Sequence, residues 1–336
     1  MATSMRVAVW ERPGEPLALH DRPIPDLGPN DVLVEIKASG VCFTDLRVID
    51  GRSEGAPFVP GHEPVGVIAA VGTGVTEQLR PGARVAVHPQ FACGECSYCE
   101  AGEDEACVLG TSQFAGLSID GGYAQYLRVP ALRAIPLPDA LDFADAAPFC
   151  CAGLTVFAAL RNGGIEAGQR VAVIGIGGLG HLAISIATAL GAKVYAVTAS
   201  ADKTELARER GAVWAGDAPA AARELADRGG ANIVLNTANV LDPVGTLLPG
   251  VARQGAIVLA AADGDVLPVP PGMFIGLQLR VIGSFFGSRD DLRDVLELAA
   301  RHHIRPQIER YPLDEVNAVH ARLRANEVRF RAVLMP

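Results

Sequence analysis

The chain has 336 residues, 49% of them hydrophobic and 20% charged, which is enough apolar material for two compact cores in a globular protein. Its formal net charge is −9 without any basic block, so the charge argues against a nucleic-acid surface. No apolar run approaches the ~18 residues of a membrane span. Residues 1–12 contain no long apolar segment and no small-residue cleavage site, so we expect a cytoplasmic protein with neither nucleic-acid nor membrane partners.

The first part of the chain, up to residue 149, is rich in Gly and Pro and carries short runs of alternating apolar residues. Residues 32–37 and 84–87 are predicted to form strands, and the segment DLGPN at 26–30 has the composition of a turn. This pattern predicts a β-rich, partly closed domain.

After Pro148, buried apolar runs alternate with segments of helical spacing. The predicted strands are 170–175, 193–197, 233–236, 256–260 and 280–283. The predicted helices are 179–190, 202–210 and the alanine-rich segment 218–226. Alternating strands and helices predict a doubly wound parallel sheet, and so an α/β fold. Towards the end, residues 290–302 predict an amphipathic helix and residues 331–334 a closing strand.

A glycine-rich turn joins the first of these strands to the first helix. It reads GIGGLG, from Gly175 through Gly177, Gly178 and Leu179 to Gly180, and so contains G-x-G-x-x-G. In this motif the first glycine allows the tight turn, the second lets the backbone approach a pyrophosphate, and the third allows the helix to pack closely on the strand. Because the turn lies between a strand and a helix, it predicts a dinucleotide-binding site at the helix N-terminus.

The end of the second predicted strand indicates which dinucleotide is bound. NAD-binding proteins usually place Asp or Glu there to accept a hydrogen bond from the ribose, and that charge repels a 2′-phosphate. Here Thr198 stands at the expected acidic position, with Ser200 and Lys203 nearby as donors. The sequence therefore favours NADP over NAD. The alternative is that Asp202 contacts the ribose and Lys203 is only a solvated helix residue.

Four of the seven cysteines, Cys93, Cys96, Cys99 and Cys107, lie within one short loop. Four thiolates complete a closed tetrahedron around zinc and leave no position for a substrate, so the predicted ion is structural. The alternative is a loop of reduced thiols, which would oxidise readily where it is exposed. An odd number of clustered cysteines argues for metal ligation rather than disulfides.

The other three cysteines are scattered among further candidate ligands. Cys42 follows a predicted strand, His62 and Glu63 follow a loop, and Cys150 and Cys151 precede the nucleotide-binding segment. Taken singly, a histidine such as His62 is more often a hydrogen-bonded structural residue than a ligand, and the vicinal cysteines are also consistent with ordinary buried thiols.

Six motifs follow one another along the chain: GVCxTDL, PGHEPVG, the four-cysteine lobe, CAGLTVF, GxGGLG and the closing RxVL. In this order they resemble the zinc-containing medium-chain dehydrogenase/reductase family. That family includes zinc alcohol dehydrogenases and cinnamyl alcohol dehydrogenase. The resemblance covers essentially the whole chain. It implies a GroES-like β-rich catalytic domain at 1–149 and 286–336, with a structural zinc lobe at 93–107, and a Rossmann nucleotide-binding domain at 150–285.

The resemblance also implies a second zinc ion, which takes part in catalysis and is held by Cys42, His62 and Cys151. Cys151 is preferred to its neighbour because the family's ligand immediately precedes the Ala-Gly of its motif. Three protein ligands leave one coordination position open for the substrate oxygen. By the same resemblance Glu63 lies close to the metal and Asp45 orients His62.

Further roles follow from matching positions. Thr44 corresponds to the hydroxyl that passes on the alcohol proton, Thr155 to a residue packed on the nicotinamide, and Arg331 to one that pairs with the pyrophosphate. Two positions depart from the family pattern. Phe43 stands where relatives usually carry His or Arg, and Arg47 stands where a histidine often ends the proton relay, which an always-protonated arginine cannot do.

The sequence thus predicts a zinc-dependent oxidoreductase that transfers a hydride between NADP(H) and a small alcohol, aldehyde or ketone. Because the relay is altered, reduction of C=N (imine or iminium) or conjugated C=C bonds is the alternative. A non-catalytic protein that keeps the fold and cofactor is a third reading, although all three matching zinc-ligand positions are filled. Family members form homodimers or homotetramers, and we expect one of these assemblies here.

Overall fold

A computed structural model describes residues 3–51, 57–77, 79–107, 113–263, 266–267 and 270–336. The chain divides into two compact units. The first unit combines Met1–Cys151 with Ser288–Pro336, and the second comprises Ala152–Gly287.

The strands are β1 (Ser4–Val9), β2 (Ala18–Pro23), β3 (Asp31–Val41), β4 (Glu63–Val71), β5 (Arg84–Val87), β6 (Gln90–Phe91), β7 (Gln113–Phe114), β8 (Tyr126–Pro130), β9 (Ala134–Pro136), β10 (Arg170–Ile174), β11 (Lys193–Val197), β12 (Ala212–Gly216), β13 (Ala231–Asn236), β14 (Val251–Leu259), β15 (Arg280–Gly283), β16 (Ile308–Pro312) and β17 (Arg331–Met335). The α-helices are α1 (Phe43–Gly51), α2 (Ser97–Glu100), α3 (Phe143–Ala146), α4 (Ala152–Gly163), α5 (Gly180–Ala189), α6 (Ala201–Glu209), α7 (Ala218–Asp227), α8 (Asp242–Leu247), α9 (Pro271–Leu277), α10 (Arg289–Arg301) and α11 (Val316–Arg324). Short 3-10 helices cover Asp104–Ala106, Ala131–Arg133, Ala147–Cys150, Leu248–Gly250 and Leu313–Glu315.

The first unit is built on a seven-stranded sheet. Its order is β16-β17-β3-β4-β5-β9, and β8 pairs with β3 beside that path. Every pair except β16–β17 is antiparallel. Val32, Val34 and Ile36 alternate into one core of this unit, together with Ile68 and Val85. This unit is therefore the predicted β-rich, GroES-like part.

The second unit is a six-stranded parallel sheet with the order β12-β11-β10-β13-β14-β15. Apolar runs such as Val171–Ile174 in β10 are buried along their whole length, as strands covered on both faces must be. The strand order reverses between β10 and β13, so the sheet is the doubly wound Rossmann type with a switch point at β10. The predicted α/β fold class is confirmed.

The elements predicted at the end of the chain are also confirmed. Helix α10 begins one residue before the predicted helix because Ser288 caps it. The Asp291 backbone amide donates to the Ser288 hydroxyl, and the Asp291 carboxylate accepts from the Ser288 amide, which satisfies two otherwise unpaired donors. Strand β17 then runs antiparallel to β3 and so carries Arg331 into the sheet of the first unit.

Among the described residues, no single helix is both long and apolar enough to cross a membrane. The consecutive helical segments Phe143–Cys150 and Ala152–Gly163 reach that length and hydropathy only when counted together as a bent pair.

Candidate active site

Four donor side chains of the first unit converge: Cys42, His62, Glu63 and Cys151. One donor atom from each lies within 4.8 Å of the others. Strand pairing explains the convergence, because Gly40 of β3 is opposite Glu63 of β4, and Cys42 and His62 flank these two positions. A Cβ at Gly40 would overlap the Glu63 carboxylate, so the close approach of the two strands here requires glycine.

A hydrogen bond orients the imidazole of His62 towards the other donors. Its Nδ1 lies 2.7 Å from Asp45 Oδ1, and both side chains are buried. Because a carboxylate accepts hydrogen bonds, Nδ1 carries a proton, and Nε2 is the ring nitrogen that faces the cluster. The other oxygen of Asp45 accepts from the Cys42 backbone amide and from the Tyr123 hydroxyl, each at 2.9 Å. The resemblance to the family implies that Asp45 orients His62, whereas no sequence motif indicates a role for Tyr123.

The electrostatics of the cluster favour a bound cation. The hydrogen bond with Cys151 lowers the pKa of Cys42 well below its usual value and raises that of Cys151. Burial works to lower the pKa of His62, but the charge and hydrogen bond of Asp45 outweigh it and the pKa is raised. A metal ion takes the place of such shared protons when it binds.

Glu63 forms a buried ion pair with Arg331, which is 5% exposed. Burial raises the pKa of Glu63, while the Arg331 charge opposes that rise. Burial also works to lower the pKa of Arg331, and Glu63 reverses the effect, so that pKa is raised and the guanidinium stays charged. The structure therefore gives Arg331 a carboxylate partner, whereas the resemblance implies a pyrophosphate. A contact of Arg331 with the cofactor stays a prediction.

The neighbouring candidates have distinct environments. The thiol of Cys150 is buried and donates to the Pro64 carbonyl oxygen at 3.8 Å, and its sulfur is not one of the four donor atoms of the cluster that includes Cys151. Thr44 is exposed at the start of α1, and its backbone amide donates to Cys42 Sγ at 3.5 Å. One helical turn apart, the Arg47 guanidinium lies 5.6 Å from the centre of the Phe43 ring, so the two departures from the family pattern contact each other.

A second cluster is formed by Cys93, Cys96, Cys99 and Cys107, whose sulfur atoms also lie within 4.8 Å of one another. Helix α2 presents Cys99 to Cys96 at 3.5 Å, and Cys93 lies 3.8 Å from Cys99. Burial, with the crowding of the neighbouring thiols, raises the pKa of Cys99 to about 12. Four sulfurs this close need a cation to hold them as thiolates.

The chemistry of both donor sets fits zinc. Four sulfurs match the closed tetrahedron of a structural ion, and two sulfurs with one imidazole match a site that keeps a position open. The Asp45–His62 hydrogen bond is the outer partner that a zinc-bound histidine almost always has.

In the second unit, the glycine turn forms the end of β10 and the start of α5. Gly175 has a φ of +85°, and a Cβ at Gly180 would overlap the Gly175 carbonyl oxygen. A Cβ at Gly177 would meet nothing within 4 Å, so packing within the chain does not require glycine at that position. The space beside Gly177 fits a ligand that approaches the backbone, as a pyrophosphate does. Leu179 is the N-cap residue of α5, and Gly178 precedes it in the same turn.

The predicted 2′-phosphate residues lie at the end of β11 and the start of α6. The Thr198 hydroxyl accepts from the Ser200 backbone amide at 3.2 Å. Ser200 is the N-cap of α6, but its hydroxyl makes no capping hydrogen bond. Half-buried Lys203 and exposed Asp202 both lie in the first turn of that helix. Thr155 lies half-buried in the first turn of α4, within the same unit.

Comparison with known proteins assigns the family. The sequence profile of the alcohol dehydrogenase GroES-like domain matches residues 28–139, and that of the zinc-binding dehydrogenases matches residues 178–301. The chain is 38% identical to an alcohol dehydrogenase of Geobacillus stearothermophilus, over 98% of this chain and 99% of the relative. It is 33% identical to the NADP-dependent alcohol dehydrogenase C of Mycobacterium bovis, with 92% of each chain covered. The crystal structure of an alcohol dehydrogenase from Aeropyrum pernix superposes with a TM-score of 0.86 at 32% identity, covering 98% of this chain and all of the other.

The fold and the two donor sets define a metal-dependent, nucleotide-binding oxidoreductase. The chain belongs to the zinc-containing medium-chain dehydrogenase/reductase family, as the sequence motifs predict. Zinc and a nicotinamide cofactor are the cofactors of this class of dehydrogenase.

Proposed function

We propose that the protein interconverts a small alcohol and its aldehyde or ketone, with NADP(H) as the preferred hydride carrier. The proposal depends on the cluster of Cys42, His62 and Cys151, in which Asp45 orients the buried imidazole of His62. Such a donor set holds zinc and keeps one position for a substrate oxygen. When bound, zinc supplies Lewis-acid polarisation of that oxygen, and the nicotinamide supplies or accepts the hydride.

The chain's own residues prepare this chemistry. We assign Cys42, His62 and Cys151 as ligands of the catalytic ion, and the four lobe cysteines as ligands of a second, structural ion. Asp45 fixes the tautomer of His62, so that Nε2 keeps its lone pair for the metal. Glu63 adds a carboxylate beside the ligands, and its pairing with Arg331 holds that carboxylate in place.

The hydroxyl of Thr44 is assigned to receive the proton of the alcohol. Thr44 is exposed at the start of α1, two residues after Cys42. Arg47 lies one turn further along the same helix, but a guanidinium does not act as a proton acceptor in proteins. We infer that water takes the proton from the threonine hydroxyl.

The glycines of the turn and Leu179 receive the pyrophosphate at the N-terminus of α5, and Thr155 packs against the nicotinamide.

The preference for NADP(H) is inferred from the end of β11. An uncharged side chain, Thr198, stands where a carboxylate would repel a 2′-phosphate, and the Ser200 hydroxyl is not used as a helix cap. Lys203 adds a positive charge within one helical turn. The similarity to the NADP-dependent enzyme of M. bovis supports the same choice.

Replacing Thr198 with aspartate is expected to shift the preference from NADPH towards NADH by at least about fivefold, because like charges at contact distance repel by roughly 1–4 kcal/mol. The ratio of kcat/KM with the two cofactors measures the shift. Thr198→Ala is the matched control, since it removes the hydroxyl without adding charge and should change the ratio far less. An unchanged ratio in Thr198→Asp would mean that the 2′-phosphate binds elsewhere.

The reaction is tested by following NADPH absorbance with aldehydes, ketones, imines and enals, before and after removal of zinc by a chelator. We expect turnover of aldehydes or ketones that stops on chelation and returns when zinc is added. Turnover of imines or enals alone would contradict the proposed substrate class. Turnover that survives zinc removal would contradict the proposed role of the metal.

Assembly into a homodimer or homotetramer stays a prediction. Edge strand β15 leaves Val281 44% exposed, and Ile275 on α9 is 79% exposed, so this edge of the second unit offers apolar surface to another copy. Light scattering of the purified protein measures the mass of the assembly.

A further inference from the structure

Tyr123 contacts the side chain that orients the catalytic histidine, although it lies far from that histidine in sequence. Its hydroxyl donates to Asp45 Oδ2 at 2.9 Å, while Asp45 Oδ1 accepts from His62 Nδ1. Tyr123, Asp45 and His62 are all buried. The Cys42 backbone amide is the second donor to Oδ2. Each oxygen of the Asp45 carboxylate thus accepts hydrogen bonds from its own donors, and these hydrogen bonds fix the rotation of the carboxylate group.

Backbone hydrogen bonds also hold Tyr123 next to the segment that precedes His62. The Tyr123 amide donates to the Pro60 carbonyl oxygen at 3.0 Å, and the Gly122 amide donates to the Gly61 carbonyl oxygen at 2.7 Å. Gly61 has a φ of +96°, and a Cβ there would overlap the Tyr123 ring. The ring therefore lies directly against the backbone of the residue that precedes the proposed zinc ligand.

The surroundings keep the tyrosine a donor. Burial, and then the neighbouring Asp45 carboxylate, raise the pKa of Tyr123 well above its usual value, so the phenol stays protonated. On its other side, the ring centre of His320 lies 5.9 Å from that of Tyr123. Burial lowers the pKa of His320 to about 4, so at neutral pH this side presents an uncharged ring.

We propose that Tyr123 is a positioning residue for the catalytic zinc site, acting through Asp45 to hold the His62 imidazole in its ligating orientation. The inference rests on the proposed zinc site and adds a residue to it. Without the hydroxyl, Oδ2 keeps only the Cys42 amide, and the carboxylate gains freedom to rotate away from His62. Loss of an outer partner of a zinc-bound histidine weakens metal binding by about 10–100-fold. Since Tyr123 is one contact further out, we expect about the lower end of that range.

The test measures zinc release from the loaded enzyme to a colorimetric chelator, with release from the four-cysteine lobe as an internal reference. The phase that disappears in His62→Ala identifies the catalytic ion. In Tyr123→Phe that phase is expected to run about tenfold faster, with the lobe phase nearly unchanged. Tyr126→Phe is the matched control, because Tyr126 packs on the same apolar core without a contact to Asp45.

A double variant separates positioning from general packing. If Tyr123 acts through Asp45, adding Tyr123→Phe to Asp45→Asn should accelerate release little beyond Asp45→Asn alone. Additive effects, or an unchanged catalytic phase in Tyr123→Phe, would overturn the inference while the proposed function stands. A His62→Ala variant that loses no phase would overturn the zinc site, and with it this inference.

Discussion

Replacing His62 with alanine is expected to lower kcat/KM by about a thousandfold or more while nicotinamide binding is retained. The variant removes one of three proposed ligands and leaves Asp45 without its imidazole partner. Lewis-acid polarisation is worth several kcal/mol, and each 1.36 kcal/mol is a factor of about ten in rate. Because the glycine turn belongs to the second unit, the Kd for the cofactor, measured by fluorescence titration, should stay within about twofold.

His20→Ala is the matched control for this variant. His20 lies exposed in β2, where its ring nitrogen is 2.8 Å from a Glu11 carboxylate oxygen, and an exposed pair of this kind contributes little. The control should therefore keep nearly full activity. A His62→Ala enzyme with activity close to that of the unmodified protein would show that the metal site has been misassigned.

The second large effect is expected at the four-cysteine lobe. Replacing Cys99 with serine removes a proposed ligand that is 7% exposed and should release the proposed structural ion. A cross-link that closes a loop of about 15 residues stabilises by about 3 kcal/mol, so we expect a loss of that order in the free energy of unfolding. Denaturant unfolding monitored by fluorescence measures it, with bound zinc counted on the same samples.

The unfolding in Cys99→Ser should begin within the lobe. Asp104, in the same segment, is buried and paired with Arg133 at 2.9 Å and with Arg289, so the end of the lobe is held to the first unit without the metal. Limited proteolysis should therefore cut between Cys93 and Cys107 first. Cys150→Ala is the control, because that buried thiol lies outside both clusters and its loss should leave both ions in place. An equally stable, protease-resistant Cys99→Ser protein would contradict a structural role for the ion.

The parallel sheet was largely predictable because its strands are continuous apolar runs between glycines. The sequence pattern does not predict β12, because this edge strand leaves Val213 61% exposed and mixes exposed with buried residues. Strand β14 starts at Val251, whereas the sequence predicts a start at residue 256. The earlier residues show no strand pattern because Gln254 takes a φ of +62° and the register with β13 shifts in this segment. Such local irregularities interrupt the apolar pattern while the backbone pairing continues.

In the first unit, β3 continues to Val41, four residues beyond the strand end at residue 37 that the apolar alternation predicts. The extension contains Ala38, Ser39 and Gly40, whose small side chains give no alternation, and pairing with β4 maintains it. This extension matters for the proposed function because it leads directly to Cys42, one of the four donor residues of the candidate active site. A pattern read along the chain cannot show that pairing.

The candidate ligands could be named from motifs, but their meeting in space could not be derived from their spacing. Cys42, His62 and Cys151 belong to separate elements, and only the sheet register and the 3-10 helix before Cys151 bring them together. The partners of charged groups were the least predictable feature. Arg331 faces Glu63 inside the first unit, and the Tyr123 hydroxyl reaches Asp45, yet neither pair leaves a periodic signal in the sequence.

Counting zinc in the purified, fully active enzyme by elemental analysis tests the central claim most directly. Two ions per chain are expected, falling to one in His62→Ala together with the loss of turnover. An unmodified enzyme that is fully active with only the four-thiolate ion would contradict the proposed catalytic zinc, even with the fold unchanged.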